Sequence, residues 1–193
     1  MPWSSGRGIA ELTAWINEMG ITTVLDVGAG AGYYGSAIRK ACPSVTVLDA
    51  VEVFPYYRER FALDEIYDTV TVADVRHINE FPYDLVILGD VVEHMPRADA
   101  VRLWSDISSS ARYAYICMPI GWCEQTGKDV PDDDTDTCIT NPYEAHVEPE
   151  ASTEEILRLF PGIFRHELHD LVNVNHDPTF QIGCFYAAFT ASS

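Results

Sequence analysis

The chain has 193 residues, of which 47% are hydrophobic, and its formal net charge at pH 7 is −18. This length and apolar content suit one domain with a full core, so we expect a single domain over residues 1–193. The strong negative charge repels phosphate backbones and argues against extended nucleic-acid binding. No segment approaches the roughly 20 apolar residues of a membrane span, and the N-terminus lacks the apolar core of a signal peptide. We therefore expect a cytoplasmic protein without a membrane partner.

The hydrophobic pattern predicts helices that alternate with strands. Apolar residues at helical spacing cover residues 9–19, and Gly20 ends that helix. Strands are predicted at residues 22–27, 45–53, 69–73, 83–89 and 111–118, and further helices at residues 33–41, 55–63 and 97–109. Such alternation is typical of right-handed βαβ units in a parallel sheet.

The C-terminal part departs from this alternation. Residues 119–152 show no periodicity, and we interpret them as a long, lid-like loop, because so long a connection inside a compact domain is usually functional or disordered. A capped helix start follows at Ser152. Two β-like runs at residues 163–174 and 179–190 have a link too short for a parallel crossover, so we expect them to pair antiparallel.

The first predicted strand runs into three glycines spaced two residues apart, Gly28, Gly30 and Gly32. Glycine tolerates backbone angles closed to other residues and lets a ligand approach the main chain closely. A strand, a glycine turn and a helix N-terminus together favour a nucleotide-like ligand at the carboxyl ends of parallel strands. Asp26, at the end of this strand, can accept hydrogen bonds from turn amides or from a ligand ammonium group. A glycine turn that binds no ligand is the alternative.

With these motifs the chain resembles the class I S-adenosylmethionine (SAM)-dependent methyltransferase family over nearly its whole length. The resemblance rests on the glycine run at residues 24–32, an acidic residue ending the second strand, and the motifs at residues 73–75 and 84–94. It implies an α/β fold, a Rossmann-like three-layer sandwich of five parallel strands plus a C-terminal antiparallel β-hairpin. It also implies methyl transfer from SAM.

The resemblance assigns cofactor-binding roles to several residues. The three glycines would pass close to the methionine end of SAM, with Asp26 beneath it. An acidic residue would bind both ribose hydroxyls, since a carboxylate offers two acceptors to a vicinal diol. We favour Glu52, which ends the second strand, over Asp49, which lies inside it. Asp74 would accept from the adenine amino group, the alternative being a turn or N-cap aspartate. Asp90 is also predicted to bind the cofactor.

Asp90, Glu93 and His94 follow the most hydrophobic strand and would lie at the pocket mouth. His94 could act as a general base for a hydroxyl nucleophile. Alternatively, the acid-x-x-Glu-His spacing resembles that of metal-using methyltransferases, including small-RNA 3′-end enzymes, in which a metal lowers the pKa of a bound hydroxyl. In a third interpretation, Glu93 and His94 only cap and fix the turn.

His146 lies in the long loop, which can fold back over the same face of the sheet. It would meet His94 there and complete either a substrate site or a metal set of Glu93, His94 and His146 with Asp90. The alternative is a loop histidine in solvent. We therefore predict His94 and His146 as catalytic residues, SAM as the cofactor, and a divalent metal as a second candidate cofactor.

Three functions stay open at this point. The first is methylation of an oxygen or nitrogen of a small, neutral or cationic acceptor. The second is metal-dependent 2′-O-type methylation of a terminal ribose or another diol. The third is a non-catalytic SAM-binding or interaction protein.

Overall fold

A computed structural model of the chain describes residues 6–120, 141–143, 145–147, 151–170 and 181–190. Most of the predicted loop and the link between the two C-terminal strands lie outside these residues. The helices are α1 (Ile9–Met19), α2 (Tyr33–Ala41), α3 (Pro55–Arg60), α4 (Arg97–Ser110) and α5 (Thr153–Leu159). The strands are β1 (Thr23–Val27), β2 (Val47–Glu52), β3 (Thr69–Val72), β4 (Leu85–Gly89), β5 (Tyr113–Ile120), β6 (Ile163–Asp170) and β7 (Gln181–Ala188). Within these ranges, no helix has the length and apolar character to cross a membrane.

The strands form one sheet in the order β3-β2-β1-β4-β5-β7-β6. The first five strands are parallel, whereas β7 runs antiparallel to both β5 and β6. This arrangement confirms the predicted α/β fold with its C-terminal antiparallel hairpin. The strand order reverses between β1 and β4, and ligands of such sheets bind in the crevice beyond the carboxyl ends at this switch point.

Both faces of the sheet are covered by helices, which gives three layers. Successive side chains of a strand point to opposite faces. In β1, Val24 therefore packs into the core shared with α1 and α2, whereas Leu25 and Val27 pack into the core shared with α4 and α5. The chain that follows β1 thus leads to one face and the chain that follows β4 to the other, which leaves a crevice between them.

Long-range strand pairing and local backbone geometry explain why some observed helix and strand ends differ from the predicted ones. The helices at residues 9–19 and 33–41 match the prediction, but α3 ends at Arg60, because Ala62 adopts a left-handed φ of 47° that a helix cannot continue. Strand β5 extends to Ile120 rather than residue 118, because it pairs with β7 along its whole length, as far as Gln181.

Asp84 joins the amino ends of three neighbouring strands. Its Oδ2 accepts from the Thr22 amide and hydroxyl at 3.0 and 2.8 Å and from the Thr23 amide at 3.2 Å. Its Oδ1 accepts from the Arg112 guanidinium at 2.9 Å. Burial raises the pKa of this carboxyl, but the hydrogen bonds outweigh that effect and lower the pKa to about 2.

We expect Asp84→Ala to lower the free energy of unfolding at pH 7 by about 2 kcal/mol, because it leaves several donors without their acceptor. The folded-state pKa lies below the unfolded value of about 3.9. The stabilisation is therefore present above that value and is lost as the pH falls through about 2. Urea unfolding at pH 7 and at decreasing pH measures both effects. Equal stability of the two proteins at pH 7 would contradict this role for Asp84.

Candidate active site

A pocket lies at the carboxyl ends of the parallel strands, where the strand order reverses. The chain segments that follow β1 to β4 form its wall, and residues 141 and 143 of the predicted loop also reach it. The wall includes six residues that the sequence singled out, namely Gly28, Gly30, Glu52, Asp74, Asp90 and His94. Most of the residues that the sequence singled out therefore converge on one cavity.

Two glycines of the turn line the pocket, and the third packs against the protein interior. Gly28 and Gly30 line the pocket with φ angles of 72° and 51°, a region that glycine enters without a steric penalty. Gly32, which the sequence also assigned to the cofactor, faces the chain before β3. A Cβ at Gly32 would lie 2.6 Å from Ile66 Cδ1, so its missing side chain makes room for internal packing.

Glu52, which the sequence favours as the ribose-binding carboxylate, is the last residue of β2. It is 4% exposed and lines the pocket. Its Oε2 accepts the Gly30 amide at 2.8 Å, and its Oε1 accepts the Phe54 amide at 2.8 Å. Asp49 lies inside β2, and its Oδ2 accepts the Tyr83 hydroxyl at 2.9 Å. The geometry thus places Glu52, rather than Asp49, beside the glycine turn.

Asp26 lies beneath the pocket wall and is only 1% exposed. Its Oδ2 accepts the Tyr67 hydroxyl at 2.5 Å, whereas Oδ1 has no hydrogen-bond partner among the described residues. Burial raises the pKa of Asp26, the Tyr67 hydrogen bond lowers it, and the nearby charge of Glu52 raises it, which gives a pKa of about 7. Tyr67 was missed at the level of sequence, because it belongs to none of the motifs.

Asp74 lines the pocket but is already bound by a neighbour. Its Oδ1 accepts the Arg76 amide and Nε, each at 2.9 Å, and its Oδ2 accepts Arg76 Nη2 at 2.5 Å. The hydrogen bonds from Arg76 hold the pKa of Asp74 below its usual range. Asp74 therefore caps a short turn, the alternative considered above, and an adenine amino group would have to share this carboxylate with Arg76.

Two carboxyl groups lie close together after β4. Asp90 lines the pocket and has a φ of 54°, a conformation that is uncommon for a residue other than glycine and is concentrated at functional sites. Glu93 is 5% exposed, and within the described part of the chain neither of its carboxyl oxygens has a hydrogen-bond partner. Burial and the charge of Asp90 raise the pKa of Glu93 well above its usual range.

His146 is held beside His94 by two backbone contacts. The Val147 amide donates to the Glu93 carbonyl at 2.9 Å, and His94 Nδ1 lies 3.3 Å from the Ala145 carbonyl. The two imidazole rings meet edge to face, with centroids 4.8 Å apart. If His94 Nδ1 carries the proton that the Ala145 carbonyl accepts, the lone pair of the neutral ring is on Nε2.

Glu93, His94 and His146 form a group that fits a divalent metal ion. One potential ligand atom from each of them lies within 4.8 Å of the other two. Carboxylate and imidazole ligands suit ions such as zinc, iron and manganese. The contact of His94 with a backbone carbonyl is also the arrangement that orients most metal-binding histidines. Asp90 lies outside this three-residue group.

No protein-family model matches the sequence, and no curated protein matches it. Solved structures do match it, although at low sequence identity. The N-terminal domain of EvdMO1 with S-adenosylhomocysteine (SAH) bound is 12% identical, with a TM-score of 0.66 over 97% of this chain and 83% of that one. A SAM-dependent methyltransferase from Clostridium acetobutylicum is 13% identical, with a TM-score of 0.63 over 94% and 91% of the chains. The methyltransferase domain of a bacterial Hen1, CtHen1, is 14% identical, with a TM-score of 0.59 over 92% and 96%.

Some of the other matched proteins are longer than this chain. It spans 55% of a protein from Nostoc punctiforme and 54% of PigF, which was solved with SAH. At identities between 12% and 17%, these similarities concern the fold. The chain therefore has the fold of class I SAM-dependent methyltransferases.

Proposed function

We propose that the chain is an enzyme that transfers the methyl group of SAM to an oxygen or nitrogen of a small-molecule acceptor. The observation that carries this proposal is the position of His94. It lies on the wall of the same pocket as Gly28, Gly30 and Glu52. A proton-accepting side chain thus adjoins the place where the fold would hold the cofactor.

The pocket residues have distinct roles in this proposal. Gly28 and Gly30 let the cofactor approach the main chain. Each Glu52 oxygen accepts a backbone amide, which orients the carboxylate beside the glycine turn, and the same carboxylate would accept from the ribose hydroxyls. Arg76 also lines the pocket and neutralises Asp74, so the carboxylates of Glu52 and Asp90 make the wall acidic, which disfavours anionic acceptors and favours neutral or cationic ones.

Methyl transfer is an in-line displacement at carbon. The acceptor oxygen or nitrogen forms a bond to the methyl carbon, the bond between that carbon and the SAM sulfur breaks, and SAH leaves with the electron pair. A hydroxyl or ammonium acceptor must also lose a proton. We assign this step to His94, whose ring lone pair is on Nε2 when Nδ1 donates to the Ala145 carbonyl.

A direct test is to incubate the protein with methyl-labelled SAM and fractionated extracts of small molecules and to measure SAH and labelled products by mass spectrometry. We expect SAH formation that depends on an acceptor and is lost when His94 is replaced. If the protein binds SAH but methylates no acceptor across a broad set of extracts, the proposal is contradicted and the non-catalytic function is favoured.

A second candidate function is metal-dependent methylation of a terminal ribose or another diol. The observation that favours it is the buried carboxyl group of Glu93, which lacks a hydrogen-bond partner within the described ranges and lies beside His94 and His146. A bound divalent ion would lower the pKa of an acceptor hydroxyl and orient it. Glu93, His94 and His146 would hold the ion.

Removing divalent ions distinguishes the two candidates. If the second is correct, prolonged treatment with a strong chelator is expected to reduce methyl transfer to background, and one divalent ion should restore it. Glu93→Gln should then lose both the bound metal, measured by elemental analysis, and the activity. Glu154→Gln, at an exposed position in the first turn of α5, serves as the control. Full activity in the chelator would exclude the metal-dependent function.

A further inference from the structure

Tyr67 connects the carboxyl group of Asp26 to the start of α2. Its hydroxyl donates to Asp26 Oδ2 at 2.5 Å and accepts the Gly35 amide at 3.3 Å. Tyr67 is only 4% exposed. The contact with α2 is close, since a Cβ at Gly35 would lie 2.4 Å from Tyr67 Cζ. The tyrosine is therefore fixed from both sides, and it fixes one oxygen of Asp26.

The other oxygen of Asp26 has no such contact. Oδ1 is buried and has no hydrogen-bond partner among the residues that the structure describes. A buried acceptor without a donor is costly and calls for an explanation. Asp26 lies directly before Val27 and Gly28, which line the pocket. A protonated amine bound against this turn would stabilise the ionised carboxylate of Asp26 through its charge.

The charged and titratable groups around Asp26 come from two elements. Glu52, at the end of β2, places a like charge nearby, and Tyr67, from the chain before β3, supplies the hydrogen bond. The remaining neighbours are uncharged. They are the Gly35 amide of α2, which also lowers the pKa of Asp26, and the side chains of Ala50 in β2 and Ile87 in β4, which are opposite Asp26 in register. Tyr67 is thus the side chain that favours the ionised form of Asp26.

We propose that Tyr67 is a positioning residue for cofactor binding: its hydroxyl holds Asp26 Oδ2 and thereby keeps an ionised carboxylate beneath the ammonium group of the cofactor. This inference rests on the proposed function, because it requires SAM or SAH in the pocket. Tyr67 itself would act through Asp26 and need not contact the cofactor. The charge of Asp26, whose pKa is about 7, would then make cofactor affinity depend on pH near neutrality.

Tyr67→Phe is expected to move this pH dependence. Without the hydroxyl, the pKa of Asp26 rises, so more of the carboxyl group is protonated and neutral at pH 7. We expect the midpoint of SAH affinity, measured by calorimetry from about pH 5.5 to about pH 9, to move up by about one pH unit. At pH 7 this shift corresponds to binding that is about fivefold weaker.

Two further variants make the test specific. Tyr83→Phe removes a similar hydroxyl that donates to Asp49 in the same sheet, and it should keep the wild-type midpoint. Asp26→Asn should bind SAH weakly and without a transition near pH 7. The inference is overturned if Tyr67→Phe lowers only the melting temperature and keeps the wild-type midpoint, or if Asp26→Asn retains the transition. Failure of the wild-type protein to bind SAH at any pH would instead contradict the proposed function.

Discussion

Replacing His94 with alanine is expected to lower the rate of methyl transfer by about 10²–10⁴-fold while SAH still binds. The imidazole lies on the pocket wall, and its Nε2 is the group proposed to take the proton from the acceptor. Loss of this base affects the chemical step more than cofactor binding, because the glycine turn and Glu52 are unchanged. The measurement combines the rate of SAH formation at saturating SAM with calorimetric titration of SAH.

The neighbouring histidine and a distant one provide the comparison for this prediction. His146→Ala should also reduce turnover strongly, because its ring contacts that of His94. His166→Ala should leave turnover nearly unchanged, since His166 is exposed on the edge strand β6. Wild-type turnover in both His94→Ala and His146→Ala would show that neither ring participates in the reaction.

Glu52→Ala is expected to weaken SAH binding by about 100-fold. The substitution removes the acceptor proposed for the ribose hydroxyls and leaves the Gly30 and Phe54 amides without the carboxylate that orients them. Two hydrogen bonds to a charged group, each contributing about 1.5 kcal/mol, account for an effect of this size. Calorimetric titration of SAH measures the affinity, and the melting temperature shows whether the variant is folded.

Asp49→Asn is the matched control, because Asp49 is the other acidic residue of β2 that the sequence offered for the ribose. Its carboxylate accepts a hydrogen bond from the Tyr83 hydroxyl. We expect it to keep SAH affinity within about twofold of the wild type. If Asp49→Asn weakened SAH binding more than Glu52→Ala, the ribose carboxylate would be Asp49.

Much of the fold was predictable because its signals are local. The spacing of apolar residues predicted the helices and strands. The short link between the last two strands excluded a parallel crossover. The longer β5 was not predictable, because its last residues are extended by pairing with β7, more than 60 residues away along the chain. The early end of α3 depends on the left-handed backbone of Ala62. Alanine favours the right-handed helix, so the sequence gives no sign of this conformation.

For the site, the sequence predicted the location of residues that end a strand or follow it closely. The carboxyl ends of parallel strands meet at one edge of the sheet, so Glu52, Asp90 and His94 were expected to lie together, and the structure places all three on one pocket wall. The partner of Asp26 was not predictable, because Tyr67 has no motif and reaches Asp26 from 41 positions away. The ion pair of Asp74 with Arg76, only two residues apart, could have been inferred from their opposite charges.

Titration of the purified protein with SAH in a calorimeter tests most directly whether the pocket holds the cofactor of a methyltransferase. We expect one SAH per chain, with binding retained in His94→Ala and strongly weakened in Glu52→Ala. Absence of SAH binding by the folded wild-type protein between pH 5.5 and 8 would contradict the cofactor assignment and, with it, the proposed methyl transfer.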